Sequence, residues 1–287
     1  GSNQHWVVIL KNKPMPTAKG LVVAVALLSL LVSIASPAMA GEIVFTEEER
    51  AYLNEAGVLK AVSISGGAPH PYFNSKGEIK GIAVSVLDEV AALTGLNIEC
   101  HLYGSISEAV GSGADIFFGV SREYQLPGVV LSEPYLRTET ILFYHSSLDP
   151  TQLKDKKYAT ITGGTLPEGI EEANAVYFDT REDTFSAVET KVADYGYGNA
   201  YSLAFCTMQN NYKNIISVPQ EKEDRAYCVG VPEGNEVLLS IINKAIGAID
   251  ESRMQTIVLT VTSEVERKIT FPMIMEEYWN EIFGLVA

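Results

Sequence analysis

The chain has 287 residues, 47% of them hydrophobic, and carries 21 Lys and Arg against 36 Asp and Glu, a net charge of −15. So acidic a chain has no electrostatic basis for binding nucleic acid or an anionic lipid surface. Its three cysteines cannot form a disulfide framework, and none of its four histidines stands at metal-ligand spacing from a cysteine or another histidine. No metal and no cofactor is therefore expected.

In chain order, residues 1–40 read as a leader rather than mature protein. Lys11, Lys13 and Lys19 precede an apolar run from Leu21 to Ala35, broken only by Ser29 and Ser33, and Ala38-x-Ala40 supplies the small residues of a cleavage site after Ala40. At about 15 residues the run is shorter than the roughly 20 of a bilayer span, although an uncleaved N-terminal anchor is the alternative. The expectation is export, to the periplasmic or extracellular side of the cytoplasmic membrane. Without the three leader lysines, 18 basic residues face 36 acidic ones, a net charge of −18 that suits solubility.

Thr46-Glu47-Glu48-Glu49 forms a capping box ahead of a short helix ending at Gly57. Leu59–Ile64 alternates like a strand, and Asn74-Ser75-Lys76-Gly77 reads as a turn. Ile82, Val86, Val90 and Leu93 recur at helical spacing up to Gly95. A strand from Leu96 to Leu102, a short helix from Ser105 to Ser112 and a buried strand from Ala114 to Val120 follow. This β-α-β-α-β order predicts a mostly parallel sheet with helices on both faces. A second unit repeats the pattern: a strand at Lys157–Thr162 leading into Gly163-Gly164-Thr165, a helix starting at Pro167–Ala173, a strand at Val176–Phe178, and a helix from Thr180 to Lys191. A strand at Asp194–Gly198, a helix at Asn199–Met208 and a strand at Ile215–Val218 complete it. The strand Tyr227–Val231 then leaves this unit, and Asn235 is read as the cap of a long helix whose apolar face includes Leu238, Ile242 and Ile249. Cys206 and Cys228 are close enough in sequence to pair, but burial of all three cysteines as thiols is the favoured reading.

Five segments in fixed order resemble the extracellular solute-binding proteins of family 3, the type 2 periplasmic-binding fold. They are Pro71-Tyr72-Phe73 followed by Gly81 and its helix, Gly113-Ala114-Asp115-Ile116, Leu131-Ser132-Glu133-Pro134-Tyr135, Thr162-Gly163-Gly164-Thr165, and Val229 to Asn235. The resemblance covers about Leu59 to Ile249. It implies an α/β, two-lobed Venus flytrap, each lobe a mostly parallel sheet flanked by helices, with a two-strand hinge near Tyr135–Tyr144 and Asp224–Val231. Lobe 1 would comprise 42–138 plus 227–270, lobe 2 would comprise 139–226, and 271–287 would form a C-terminal helical extension with Phe271, Ile274, Met275, Tyr278, Trp279 and Ile282 in one stripe.

Ligands in open α/β sheets bind at the carboxyl ends of strands. This rule nominates His70, Tyr72 and Phe73 after the first strand, and Gly119, Ser121 and Arg122 after the third. It also nominates Gly164 and Thr165 at an expected helix N-terminus, and Asn199 after the strand that precedes it. The two aromatics could stack on a ligand or belong to the core. Amino-acid-binding members of the family carry Thr-x-x-Arg after the third strand and an Asp in lobe 2. Here the corresponding positions hold Tyr124 or Gln125, and Asn199. Arg122 is out of register. A zwitterion would lose both charged anchors, which favours a small polar molecule, neutral or singly charged. His70 and Glu123 are the only acid–base candidates in the expected cleft and have no partnering group, so the chain is read as a binding protein rather than an enzyme.

The opening helix and the long segment after Ile249 resemble the sensor modules of membrane-bound histidine kinases and diguanylate cyclases. The partner implied is then a membrane signalling domain downstream. The alternative, a free solute-binding subunit, implies an ABC permease.

Overall fold

A computed structural model describes residues 43–123, 126–220 and 224–266. The leader with its cleavage site, Tyr124, Gln125 and the apolar stripe of 271–287 lie outside the described residues.

The chain opens with helix α1 (Glu47–Glu55), held by the capping box: the Thr46 hydroxyl accepts from Glu49 N–H, and the Glu49 carboxylate accepts from Thr46 N–H. Strand β1 (Val58–Ile64) runs to a loop, a small hairpin of β2 (Tyr72–Phe73) and β3 (Ile79–Lys80), and helix α2 (Ile82–Thr94). Gly81 precedes α2 at φ 134°, and α2 ends at Gly95 in the left-handed conformation. Strand β4 (Asn97–Tyr103), helix α3 (Ile106–Val110), capped by Ser105, and strand β5 (Ile116–Ser121) complete the first β/α unit.

Strands β6 (Val129–Leu131) and β7 (Leu136–Thr138) both pair antiparallel with β13 (Arg225–Pro232). Pro134 cannot extend the ladder between them. Ser132 replaces it: its N–H donates to Val229 O at 2.7 Å and its Oγ accepts from Val229 N–H at 3.0 Å. The first sheet therefore runs β4-β1-β5-β13-β6 with β7 beside β13. Its β1, β4 and β5 are parallel, as the helical crossovers dictate, whereas β13 runs against β5. The sheet is mixed because a strand returning from another sheet enters it in the opposite sense.

The second sheet, β10-β9-β11-β8-β12, is mixed in the same way. It contains β8 (Thr140–His145), β9 (Tyr158–Ile161), β10 (Ala175–Phe178), β11 (Tyr195–Asn199) and β12 (Ile215–Pro219), with helices α4 (Arg181–Glu189) and α5 (Ala200–Asn210). Phe143 and Phe185 meet edge-on at 4.8 Å in its core. Gly196 leaves room for them, since a Cβ there would sit 2.5 Å from the Phe143 ring. The helix expected from Pro167 is a turn through Gly169 (φ 85°) and one 3-10 turn at Glu172–Asn174.

The two sheets are joined at Glu139, between β7 and β8, and by the segment between β12 and β13. Thr138 pairs with Arg225, and Gln220 N–H donates to Thr140 O at 3.0 Å, so both described ends of the second crossing lie beside the first. Helix α6 (Glu236–Ala248) packs its apolar face on α2, although Asn235 makes no side-chain cap. Helix α7 (Glu251–Ser263), capped by Asp250, follows. Cys206 and Cys228 are buried thiols and Cys100 is half-buried; none of the three is in a disulfide. No helix among the described residues is long and apolar enough to cross a membrane.

Candidate ligand-binding cleft

The loop after β1 is fixed by its backbone. Ile82 N–H donates to Pro69 O at 2.8 Å and Ala83 N–H to His70 O at 3.2 Å, so the start of α2 is docked on the loop. Only glycine permits this at position 81, where a Cβ would lie 1.6 Å from His70 O. The loop buries His70 with its ring stacked on Tyr227, centroids 3.9 Å apart. Burial pushes the imidazole pKa down to about 3, with Asn199 opposing weakly, so the ring is neutral. Neither ring nitrogen has a partner within hydrogen-bonding geometry.

His70 lines a cleft of about 820 Å³, part of it open solvent. Val62, Ile64, Ile106, Val110, Leu126 and Ile161 form its apolar wall; His70, Ser121, Arg181, Asn199, Ser202, Arg225 and Tyr227 are its main polar groups. Both sheets contribute. Contacts across the cleft already engage the two sides: Asn199 Nδ2 donates to Tyr227 Oη at 2.6 Å, and Glu182 N–H donates to Gly66 O at 3.1 Å. Tyr72 packs on Phe205 of α5 at 5.1 Å between ring centroids.

Of the residues nominated by sequence, the structure brings together His70, Gly119, Ser121 and Asn199 along the cleft. Tyr72 is instead buried against Phe205, and Phe73 is half exposed on the hairpin. Arg122 turns toward Ser132 O (3.4 Å) and Glu133 (3.8 Å), because β5 ends at Ser121 and the chain bends away. Gly164 and Thr165 occupy a turn in which Gly164 N–H donates to Ile161 O, not a helix N-terminus. Asn199 caps α5: Oδ1 accepts from Ser202 N–H at 2.7 Å, and Nδ2 also donates to Ser202 Oγ at 2.9 Å.

Sequence reasoning missed Arg181 and Arg225. Arg225 is buried at 6% exposure, ion-paired through Nη1 with Glu123, and its Nε lacks a partner. Its alternation with Tyr227 on β13 was the available signal, since two residues apart on a strand share a face. Arg181, the first residue of α4, donates from Nη1 to Tyr197 O at 3.1 Å. Among the described residues no Asp or Glu lines the cleft, and no group of three His, Cys, Asp or Glu could hold a metal ion. The two acid–base candidates are held apart in role, Glu123 on Arg225 and His70 on Tyr227.

No family model matches the chain, and no curated protein matches it. Solved structures do. The VFT2 domain of Bordetella pertussis BvgS is similar at a TM-score of 0.66 and 18% identity, over 76% of this chain and 98% of that one. A histidine kinase sensor domain with similarity to periplasmic binding proteins matches at 0.63 and 16%, over 74% and 97%. An ancestral arginine-binding protein, bound to arginine, matches at 0.62 and 17%, over 71% and 98%. The chain thus has the two-lobed Venus-flytrap architecture of type 2 periplasmic-binding proteins. At such identities the likeness establishes the fold, and the site's own chemistry must speak for the ligand.

Proposed function

We propose that the chain is an extracytoplasmic domain that binds a small molecule by lobe closure and acts as the sensor of a membrane signalling protein, a histidine kinase or diguanylate cyclase. The observation that carries binding is the cleft between the two sheets, apolar in its walls, with buried polar atoms left without partners on His70 (both ring nitrogens), Ser121 (Oγ) and Arg225 (Nε). Such a combination is what a ligand's polar head satisfies. The lobes are 42–138 plus 227–270 and 139–226, hinged near Tyr135–Tyr144 and Asp224–Val231. Ligand favours the closed state by touching both. The ligand is neutral or singly charged, and the chain is not an enzyme.

The sensor role is supported by the likeness to a histidine kinase sensor domain. It is also supported by the segment after α7, where Glu266 accepts from Ser75 N–H of the hairpin whose Tyr72 packs on Phe205. These contacts would couple a motion of one lobe against the other to Glu266. A free solute-binding subunit of an ABC importer is the second reading, favoured by the likeness to an arginine-binding protein. The leader supports export in both readings.

The test is a thermal-shift screen of metabolites on the purified chain, followed by small-angle scattering with each hit. A ligand that raises the melting temperature should also shrink the radius of gyration. Hits that stabilise without compaction would remove closure as the mechanism. Fusion of the chain to a kinase or cyclase output that then ignores every such hit would remove the sensor reading and leave the importer.

A further inference from the structure

The ligand's chemical class can be read from the same cleft, given the binding function proposed above. His70, Ser121 and Arg225 are each more than nine-tenths buried, and each keeps polar atoms without a partner: Nδ1 and Nε2, Oγ, and Nε respectively. Strand geometry makes them converge. Tyr227 pairs with Ser121 across β13 and β5, and Arg225 lies two residues before Tyr227, on the same face. His70 stacks on the Tyr227 ring. Glu123 holds Arg225 by Nη1 alone, which leaves the Nε side of the guanidinium without a protein acceptor. A buried N–H in that condition is costly, and a carboxylate relieves it best, because its two oxygens match the guanidinium fork.

We infer that the cleft takes a small aliphatic 2-hydroxy- or 2-oxocarboxylate without an ammonium group, and that Arg225 is the residue that holds its carboxylate. The aliphatic body fits the wall of Ile64, Ile106, Val110, Leu126 and Ile161. Ser121 and His70 serve the second oxygen. An ammonium finds no anion: no acidic residue among the described ones lines the cleft, and Asn199 Oδ1 already accepts from Ser202 N–H. The carboxylate anchor thus sits on the hinge strand β13 rather than after β5, where Tyr124 and Gln125 stand.

Calorimetry on the purified full chain tests this with 4-methyl-2-oxopentanoate, 2-hydroxy-4-methylpentanoate, leucine and 4-methylpentanamide. The two acids should bind, with leucine and the amide at least ~30-fold weaker. Arg225→Gln should weaken the acids by ~30-fold or more. Ser121→Ala should weaken them about fivefold. Should Arg225→Gln fail to fold, Arg225→Lys keeps the charge without the planar fork and should cost about tenfold. Leucine or the amide binding as tightly as the acids, or acids binding unchanged to the folded Arg225 variants, would overturn the assignment. If neither acid binds while another small molecule compacts the chain in scattering, the carboxylate assignment falls and the binding function stands. If no member of a metabolite library compacts it, both fall.

Discussion

On the first sheet's side of the cleft, His70, Ser121 and Arg225 keep polar atoms with no partner. On the second sheet's side the polar groups are engaged. Asn199 and Ser202 bond each other, Arg181 donates to Tyr197 O, and Thr180 caps α4 by accepting from Asp183 N–H. Unsatisfied buried groups cost stability that a ligand can restore, whereas satisfied ones offer a ligand nothing that their own helix does not already use. Under the binding function proposed above, the first wall is the one expected to choose the ligand, and the second presents polar groups already satisfied within its own elements.

The sharpest way to break this division is at the platform under His70. Alanine at Gly81 would place a Cβ against the His70 carbonyl and force a side chain into φ 134°. Gly81→Ala should destabilise by about 3 kcal/mol or more, read as a fall in the urea midpoint. The matched change in the second region is Gly169→Ala, which also has positive φ but has nothing within 4 Å of the added Cβ. It should cost about 1 kcal/mol. Equal costs would mean that the His70 loop is not fixed by α2.

Most elements were legible in the sequence because their signals are local. The Thr46 capping box, Gly95 at the end of α2 and Asn199 at the start of α5 each fix a helix end through its own side chain or glycine. The placement of two arginines escapes the local signals because each answers to a distant partner. Arg122 and Arg225 are both near the cleft in sequence logic, but β5 ends at Ser121 and sends Arg122 outward, while pairing with β7 and β5 brings Arg225 inward. Asn199 lines the cleft as the sequence suggests, and it also caps α5 through its bonds to Ser202. Pro167 suggested a helix start, but the Gly169 turn cut it short.

Acid titration sharpens the same comparison, because two buried groups of the first region lead it. His70 falls to about 3 in the folded state from 6.5, through burial. The unfolded chain thus takes up a proton first as pH drops, and stability present above 6.5 declines toward 3. Burial raises the Glu49 pKa, but hydrogen bonds from Lys244, Ser240 and Thr46 outweigh it and bring the carboxyl from 4.5 to about 2. Its contribution is complete above 4.5 and is lost as pH falls toward 2. Urea midpoints between pH 7 and 3 should therefore decline in two stages, with the upper one changing by at most about 1.4 kcal/mol per pH unit. His70→Phe should flatten the stage between 6.5 and 4.5 while retaining the stack on Tyr227. Glu49→Gln should flatten only the lower stage. An unchanged upper slope in His70→Phe would mean that the first wall is hydrated, and the contrast with the second would fail.

The smallest expected effect comes from giving the second wall the charge it lacks. Asp caps a helix about as well as Asn, so in Asn199→Asp the Ser202 N–H keeps its acceptor and the start of α5 favours the negative charge. The two Nδ2 donations are lost, but the hydroxyls of Ser202 and Tyr227 can rotate to donate to the new carboxylate. The net change in stability at pH 7 should stay within about 1 kcal/mol, below that of any first-wall change. Its signature lies in titration and selectivity. A carboxylate beside His70 favours the imidazolium, so the folded-state pKa should rise toward that of the unfolded chain and the upper acid stage should shrink, ending at a higher pH. The same carboxylate offers an ammonium its missing partner, so the affinity ratio of leucine to 2-hydroxy-4-methylpentanoate should rise about tenfold. A variant that folds normally and leaves that ratio where it was would show that Asn199 stands outside the reach of the ligand, and that the second wall contributes shape alone.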